Sequence, residues 1–148
     1  MAKKNKNLIA YCGLYCGDCF GYKGTIADLA RDLRKELRQT KFDRTARGLS
    51  KYFKQFKHYD SCYDVLGLMV RFRCKRTCHS GGGPPFCKIR TCCVKKGLNG
   101  CWECSEFEKC KKLNFLEGVH GIGHLRNLRI LKKKGVKAFL EAKKYWFA

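Results

Sequence analysis

The chain of 148 residues carries 33 Lys or Arg against 12 Asp or Glu, a formal charge of +21, and it contains 12 cysteines. The length suits one domain with a modest core, and so large a positive charge favours nucleic acid, anionic lipid or an acidic protein as the partner. No apolar run approaches the ~20 residues of a membrane span, and the basic start lacks the apolar segment of a secretory signal. The composition argues against a membrane-spanning or secreted protein and predicts a cytoplasmic one.

The first half of the chain predicts a cysteine knuckle followed by helices. A short basic tail with Lys3, Lys4 and Lys6 is expected to fray, and the N-terminal cysteine knuckle occupies residues 11–24. Residues 25–73 have apolar side chains at helical spacing and predict three helices, whose aromatic residues we expect mostly in the core. The three apolar stripes are Ile26, Leu29, Leu33 and Leu37; Phe42, Ala46, Leu49, Phe53 and Phe56; and Val65, Met69 and Phe72. The expected N-caps are Thr25 for the first helix and Asp60 or Ser61 for the third.

The second half predicts an irregular centre and further helices. Residues 74–113 form a cysteine-rich centre without a sustained period, too small to pack a core without metal. Residues 114–148 return to helical spacing, with a break at Gly135. Little of the chain alternates with period two, so few and short strands are expected. The predicted fold is a single, mainly α domain over residues 1–148 with a metal-stapled, cysteine-rich centre. We expect the N-terminal knuckle to lie near residues 74–110.

The cysteines favour metal ligation over disulfides. In a reducing cytosol stable disulfides are rare, and clustered CxxC pairs more often bind metal. The chain has the spacing Cys12-x3-Cys16-x2-Cys19, and a second CxxC pair at Cys101 and Cys104. The members of each CxxC pair are too close in sequence for ordinary structural disulfides. Each pair suits a tight turn that points both sulfurs at one ion.

Several motifs occur in an order typical of one family. They are CGLYCGDC at 12–19, CKIRTC at 87–92, KGLNGCWEC at 96–104, FEKCKKL at 107–113, and the segment from Asn127 to Trp146. With these motifs the chain resembles the small cysteine-rich prokaryotic family known as domain of unknown function 3795. The resemblance implies cysteine-based metal binding and a prokaryotic cytosolic setting, and the family name implies no activity. The chain departs from the family's mid-chain CxxC step, because Cys74 and Cys78 are separated by three residues.

The spacing and the resemblance together favour ten metal ligands. They are Cys12, Cys16, Cys19, Cys74, Cys78, Cys87, Cys92, Cys101, Cys104 and Cys110. Cys62 lies in a helical stripe and is expected to be a small buried hydrophobic residue. Cys93 follows Cys92 directly, and neighbouring cysteines rarely bind one ion, so Cys93 is the expected spare. The four histidines are expected at the surface or in hydrogen bonds rather than on a metal: His58, His79, His120 and His124.

The expected metal is zinc, as two ions, and an iron–sulfur cluster is the alternative, because both take four cysteines. The Cys-x3-Cys-x2-Cys spacing also occurs in radical SAM enzymes, but the chain lacks the βα units of their barrel. Cys16 and Cys19 as a thiol–disulfide redox pair would need a βαβ context that is missing. The sequence therefore predicts a binding or adaptor module rather than an enzyme, with a small iron–sulfur redox protein as the competing class.

The positive charge is concentrated in the helical region. Residues 31–57 hold ten Lys or Arg against three acids, which is typical of a face that contacts phosphates. The candidate nucleic-acid-binding residues are Arg31, Arg34, Lys35, Arg38, Lys41, Arg44 and Arg47. The alternative is a solvated helix face with no partner. The expected partners are nucleic acid, including the ribosome, or an acidic protein, and any nucleic-acid binding should depend weakly on sequence.

Overall fold

The structure is a computed structural model that describes residues 5–148, so Lys3 and Lys4 of the expected frayed tail lie outside the described residues. Lys6 begins a 3-10 turn, Lys6–Leu8, and is not frayed. The prediction of a mainly α fold with few strands is confirmed, since 67% of the chain is helical. Within residues 5–148 the β-structure is a single isolated antiparallel bridge between Ile9 and Tyr15.

The described chain divides into two compact units. We call residues up to Tyr22 together with Lys75–Ala148 the cysteine-rich unit, and Lys23–Cys74 the helical unit. The expectation of one domain over residues 1–148 stays a prediction. Among the described helices, none is both long and apolar enough to cross a bilayer.

The helical unit contains the three helices that the sequence predicts. Helix α1 (Phe20–Lys23) leads into the unit, and α2 (Thr25–Gln39), α3 (Phe42–Leu49) and α4 (Tyr59–Arg71) follow. A 3-10 turn, Lys54–His58, joins α3 to α4. The expected caps are wrong, because Gly24 with a left-handed φ of 77° precedes α2 and His58 precedes α4. Backbone conformation rather than a side-chain oxygen therefore begins these helices.

Helices α2 and α4 pack against each other through small and charged residues. Ala27 and Ala30 are buried on α2, and the Arg34 guanidinium lies 4.4 Å from the centre of the Tyr63 ring on α4. The Arg73 side chain donates to the Gly24 carbonyl oxygen at 3.0 Å and also contacts Asp28.

The apolar stripes of the helical unit are more exposed than their spacing predicts. Leu29 is 65% exposed, Tyr52 79% and Phe53 55%, so the expectation that the aromatic residues of this region lie mostly in the core is wrong for the last two. Cys62 is likewise exposed, which corrects its assignment as a buried hydrophobic residue. The residues that are buried on α2 are Ala27 and Ala30 instead, and periodicity alone does not show which of two adjacent helix faces is covered.

The cysteine-rich unit is built from short turns and two longer helices. The longer helices are α5 (Lys88–Lys95) and α7 (Gly123–Glu141), and the short α6 spans Glu117–His120. The 3-10 turns after the first are Cys16–Asp18, Cys78–Ser80, Cys101–Glu103, Phe107–Lys109 and Lys111–Leu116. The predicted break at Gly135 is confirmed, since its φ of 80° and ψ of 171° kink α7.

Helix α7 supplies the centre of this unit's core. Leu128 and Phe139 are fully buried, and Leu128 packs in a cluster with Leu14, Ile89 and Phe107. Asn127 is also fully buried, and its amide group is satisfied by the Tyr145 backbone. Its Nδ2 donates to Tyr145 O at 2.8 Å, and its Oδ1 accepts from Tyr145 N at 2.9 Å. A buried amide that uses both its donor and its acceptor fixes the segment after α7.

Candidate metal centre

A tight loop presents the first cysteine of the knuckle. Beside the Ile9–Tyr15 bridge, Ala10 N donates to Leu14 O at 2.8 Å, and Gly13 N donates to Ala10 O at 2.9 Å. Gly13 closes this loop with a φ of 84°, a conformation that favours glycine. Cys12 therefore lies at the tip of a short, hydrogen-bonded loop.

Three other cysteines lie close enough to Cys12 to affect the pKa of its thiol. Burial raises the pKa of its thiol to about 12, the Leu14 backbone N–H opposes this by donating to the sulfur, and Cys78, Cys87 and Cys16 raise it further. All four thiols pack against the same core cluster. Knuckle and centre, about sixty residues apart in sequence, thus contribute to one group of sulfurs.

Backbone hydrogen bonds attach the knuckle to the cysteine-rich centre. Cys101 N donates to Tyr11 O at 2.8 Å, and the Tyr11 N–H donates to the Cys78 sulfur. Burial raises the pKa of Cys78, while the Tyr11 and Arg90 donors lower it. These contacts confirm the expectation that the knuckle lies beside the later cysteines.

The two CxxC pairs adopt the same backbone turn. Cys19 N donates to Cys16 O at 3.0 Å, and Cys104 N donates to Cys101 O at 3.0 Å, each across a 3-10 turn that ends in an extended residue. The prediction that both pairs form tight turns is confirmed. Such a turn brings the two side chains of a pair to one side, as structural zinc sites require.

A second group of cysteines lines an open pocket of about 590 Å³. Its cysteines are Cys92, Cys93, Cys101, Cys104 and Cys110. The sulfurs of Cys93 and Cys101 lie 3.7 Å apart, and both residues are buried. The hydrogen bond with Cys93, together with burial, raises the pKa of the Cys101 thiol. Cys93, the expected spare, is thus in direct contact with an expected ligand.

The structure gathers most of the ten predicted ligands into one unit. Cys74 is the exception, because it ends the helical unit, and Cys19 is half-buried in the knuckle turn. Within residues 5–148, no three or more Cys, His, Asp or Glu side chains are placed so that they could hold a metal ion as they stand. The donors in both groups are all thiols, a set that selects zinc or iron–sulfur clusters over calcium or magnesium.

The histidines are partly as expected. His79 lies against the Tyr11 ring with the ring centres 4.0 Å apart, and His120 Nδ1 lies 2.8 Å from Trp146 O. The expectation is wrong for His124, which is fully buried with neither ring nitrogen hydrogen-bonded to any described group. Burial lowers its pKa, so its neutral form is favoured. The one sequence signal for its burial is its position four residues before Leu128 on the same face of α7.

The predicted nucleic-acid-binding residues are exposed except for the half-buried Arg34, but several are engaged within the helical unit. Arg31 forms ion pairs with Asp28 and Asp32, each at 3.0 Å, and Arg47 Nη2 lies 3.5 Å from Asp43 Oδ2.

Two of these arginines contact one tyrosine. Arg38 Nη1 donates to the Tyr63 hydroxyl at 2.9 Å, and Arg34 stacks on the same ring. Although burial works in the opposite direction, these arginines lower the pKa of Tyr63. Within the described chain, Lys35, Lys41 and Arg44 are exposed and form no ion pair. Of the seven predicted nucleic-acid-binding residues, these three are the ones whose side chains are left to bind a partner.

Comparison with family models places the chain among known sequences. Residues 8–115 match the model described as a protein of unknown function, DUF3795. The chain belongs to this family. The match includes the knuckle, the helical unit and the cysteine-rich centre, and it ends before α7. No curated protein and no solved structure matches the chain.

Proposed function

We propose that this DUF3795 protein is a zinc-binding module that uses its cysteines to fasten the knuckle to the cysteine-rich centre. The observation that carries the proposal is the group formed by Cys12, Cys16, Cys78 and Cys87. Four thiols from two distant parts of the chain pack against one core. Zinc held by four thiolates forms a closed, structural site, and its binding energy contributes directly to folding.

Hydrogen-bond donors beside two of these sulfurs partly offset the burial that raises the pKa of Cys12 and Cys78. The backbone N–H groups of Leu14 and Tyr11 donate to Cys12 and Cys78, and the Arg90 side chain also interacts with Cys78. Donors of this kind stabilise negative charge on sulfur. Without a cation, Cys78, Cys87 and Cys16 add to the rise in the pKa of Cys12, and bound zinc would oppose that rise.

An iron–sulfur cluster is the competing occupant, because it uses the same all-cysteine donors. Colour and metal content separate the two. We expect protein purified without oxygen to be colourless and to contain about two zinc ions per chain. A brown protein containing iron and acid-labile sulfide would show that the cysteines bind an iron–sulfur cluster and not zinc. A folded chain without bound metal would overturn the proposal.

A pair of variants tests the first group. Cys87→Ser should lose about one zinc ion, because its sulfur belongs to the Cys12 group. Cys62→Ser is the matched control, since Cys62 is exposed on α4 in the helical unit, and it should keep the wild-type zinc content. Equal zinc content in the two variants would remove Cys87 from the site.

We further propose that the module acts as a cytoplasmic adaptor whose basic surface binds nucleic acid, with an acidic protein as the other partner class. What supports this is the uncommitted positive charge at Lys35, Lys41 and Arg44. The logarithm of the affinity should fall linearly with the logarithm of the salt concentration, with a slope of ~0.9 per phosphate neutralised on duplex DNA.

The test replaces Lys35, Lys41 and Arg44 together by Glu and measures fluorescence anisotropy at several salt concentrations. A charge-matched control replaces Lys133, Lys134 and Lys137, which are exposed on α7. The first variant should bind weakly and show a smaller salt slope, while the control should bind more nearly like wild type. Failure of wild type to bind any nucleic acid at low salt would leave an acidic protein as the partner.

A further inference from the structure

The pocket of the cysteine-rich unit contains two sulfurs at a spacing that zinc would impose. Cys93 Sγ and Cys101 Sγ are 3.7 Å apart. Zinc–sulfur bonds of ~2.3 Å at a tetrahedral angle place two thiolates of one ion about 3.8 Å apart. A disulfide would require an S–S distance of ~2.05 Å. The observed distance is too long for a covalent pair; it fits a thiol hydrogen bond and also fits two ligands on one ion.

We propose that a second zinc ion binds Cys93, Cys101, Cys104 and Cys110, and that Cys92 is not a ligand. This inference rests on the proposed zinc-binding function and assigns its second site. All four residues line the same pocket. The assignment reverses the expectation from the sequence, in which Cys92 was a ligand and Cys93 a spare.

Three separate elements deliver these four sulfurs. Cys93 lies in α5, Cys101 begins the turn Cys101–Glu103 that Cys104 ends, and Cys110 ends the turn Phe107–Lys109. Because no three donors of residues 5–148 hold an ion as they stand, Cys104 and Cys110 must turn toward the pair when zinc binds. Rotation between staggered χ1 wells is the side-chain movement that this would require.

The helix geometry allows only one of the two adjacent cysteines to aim at the ion. Consecutive residues of an α-helix point about 100° apart around its axis. Cys93 is 2% exposed and contacts Cys101, whereas Cys92 is half-buried and no contact places its sulfur on that pair. The contact with Cys101 therefore selects Cys93.

The charges around the pocket suit an anionic centre. Four thiolates and one zinc ion carry a net charge of about −2. Four lysines line the pocket, namely Lys96, Lys109, Lys111 and Lys112, against the two acids Glu106 and Glu108. Arg129 already neutralises Glu108 through hydrogen bonds of 2.8 and 2.7 Å. The remaining positive charge of the lysines would offset the negative charge of the zinc–thiolate group.

The test compares zinc content, by mass spectrometry of the metal, in wild type, Cys93→Ser and the matched control Cys92→Ser. We expect Cys93→Ser to lose about half of the zinc and Cys92→Ser to keep all of it. Zinc retained by Cys93→Ser while wild type holds two ions overturns this inference and leaves the proposed function intact. A wild-type protein without zinc would instead overturn the proposed function.

A second measurement decides the matter if Cys93→Ser does not fold or both variants lose zinc. Wild-type chain is loaded with cadmium-113, and cadmium–proton correlation spectra identify the ligands through coupling to the cysteine β-protons. We expect correlations from Cys93, Cys101, Cys104 and Cys110. A correlation from Cys92 in place of Cys93 overturns the assignment, and so does the absence of any correlation from Cys93.

Discussion

Gly13, which follows the predicted ligand Cys12, has a left-handed backbone conformation and lies against the Leu128 side chain. Its φ is 84°, and a Cβ at this position would lie 2.9 Å from the Leu128 side chain. Gly81 offers a comparison, since its φ of 86° is similar and no atom lies within 4 Å of the position of its Cβ. The two sites therefore separate backbone strain from steric overlap.

We expect Gly13→Ala to lower the free energy of unfolding of the metal-loaded protein by about 2–4 kcal/mol, the sum of left-handed strain and overpacking. Gly81→Ala should cost only about 1–2 kcal/mol, because strain acts alone. Urea unfolding of both variants provides the measurement. Equal losses would show that Leu128 moves aside without cost.

Leu128 itself tests where the core lies. Leu128 is fully buried, whereas Leu29 on α2 is 65% exposed. Leu128→Ala should lower the unfolding free energy by about 2–5 kcal/mol because it leaves a cavity. Leu29→Ala, the same change at an exposed site, should stay within about 0.5 kcal/mol. A large loss at Leu29 would mean that a partner or a second copy covers α2 in solution.

The conformation of individual residues was predictable from the sequence where it depends on neighbouring residues in the chain. The tight CxxC turns and the break at Gly135 depend on nearby residues, and the structure confirms both. The burial of His124 and the exposure of Cys62 were not predictable, because each depends on what packs against a helix face from elsewhere in the chain. The helical spacing of His124 from Leu128 places both on one face of α7, but it does not show what covers that face.

At the scale of elements, the α2–α4 pair uses arginine as a packing residue. Arg34 lies over the Tyr63 ring. Its guanidinium also lies against Gly67, so closely that a Cβ at Gly67 would overlap it. The sequence predicted both helices from their periodicity, yet it assigned Arg34 and Arg38 to a phosphate-binding face. The long apolar stems and planar heads of arginine serve either purpose, and sequence does not separate the two.

We expect Arg34→Glu to destabilise the helical unit by about 1 kcal/mol, since it removes the cation–π contact with Tyr63. Lys35→Glu makes the same change of charge at an exposed neighbour and should have an effect within about 0.5 kcal/mol. The midpoint of urea unfolding, followed by circular dichroism, compares the two. If both variants unfold at the same concentration, Arg34 is not a packing residue.

For the whole molecule, metal removal should act on one unit first. Both tryptophans of the chain, Trp102 and Trp146, belong to the cysteine-rich unit, so their fluorescence reports on that unit. A strong chelator should shift their emission to the red, because zinc binding energy contributes to the order of this unit. Hydrogen exchange followed by mass spectrometry should show larger gains in α5 than in α2 and α4.

Zinc added back after chelation is the control, and it should restore both the emission and the slow exchange of α5. Unchanged fluorescence after complete removal of metal would contradict the proposed role of zinc in folding. Equal gains of exchange in α2, α4 and α5 would show instead that both units unfold together.

Which cysteines from distant parts of the chain lie close together was only partly predictable from the sequence. The sequence predicted that the knuckle lies near the centre, which the Tyr11–Cys101 hydrogen bond confirms, and its prediction of cysteine ligands stays a prediction. It did not identify which cysteines are neighbours, because ligand pairing depends on long-range packing of several turns. The Cys93–Cys101 contact shows this, since adjacency in sequence argued against Cys93 and the orientation of α5 favours it.

The division of the chain makes the helical unit an insertion within the cysteine-rich unit. The cysteine-rich unit is interrupted after Tyr22 and resumes at Lys75. Doubling the length of a flexible closed loop costs only about 0.6 kcal/mol in closure entropy. The inserted helices could therefore be lengthened or shortened by design at little entropic cost to the cysteines on either side.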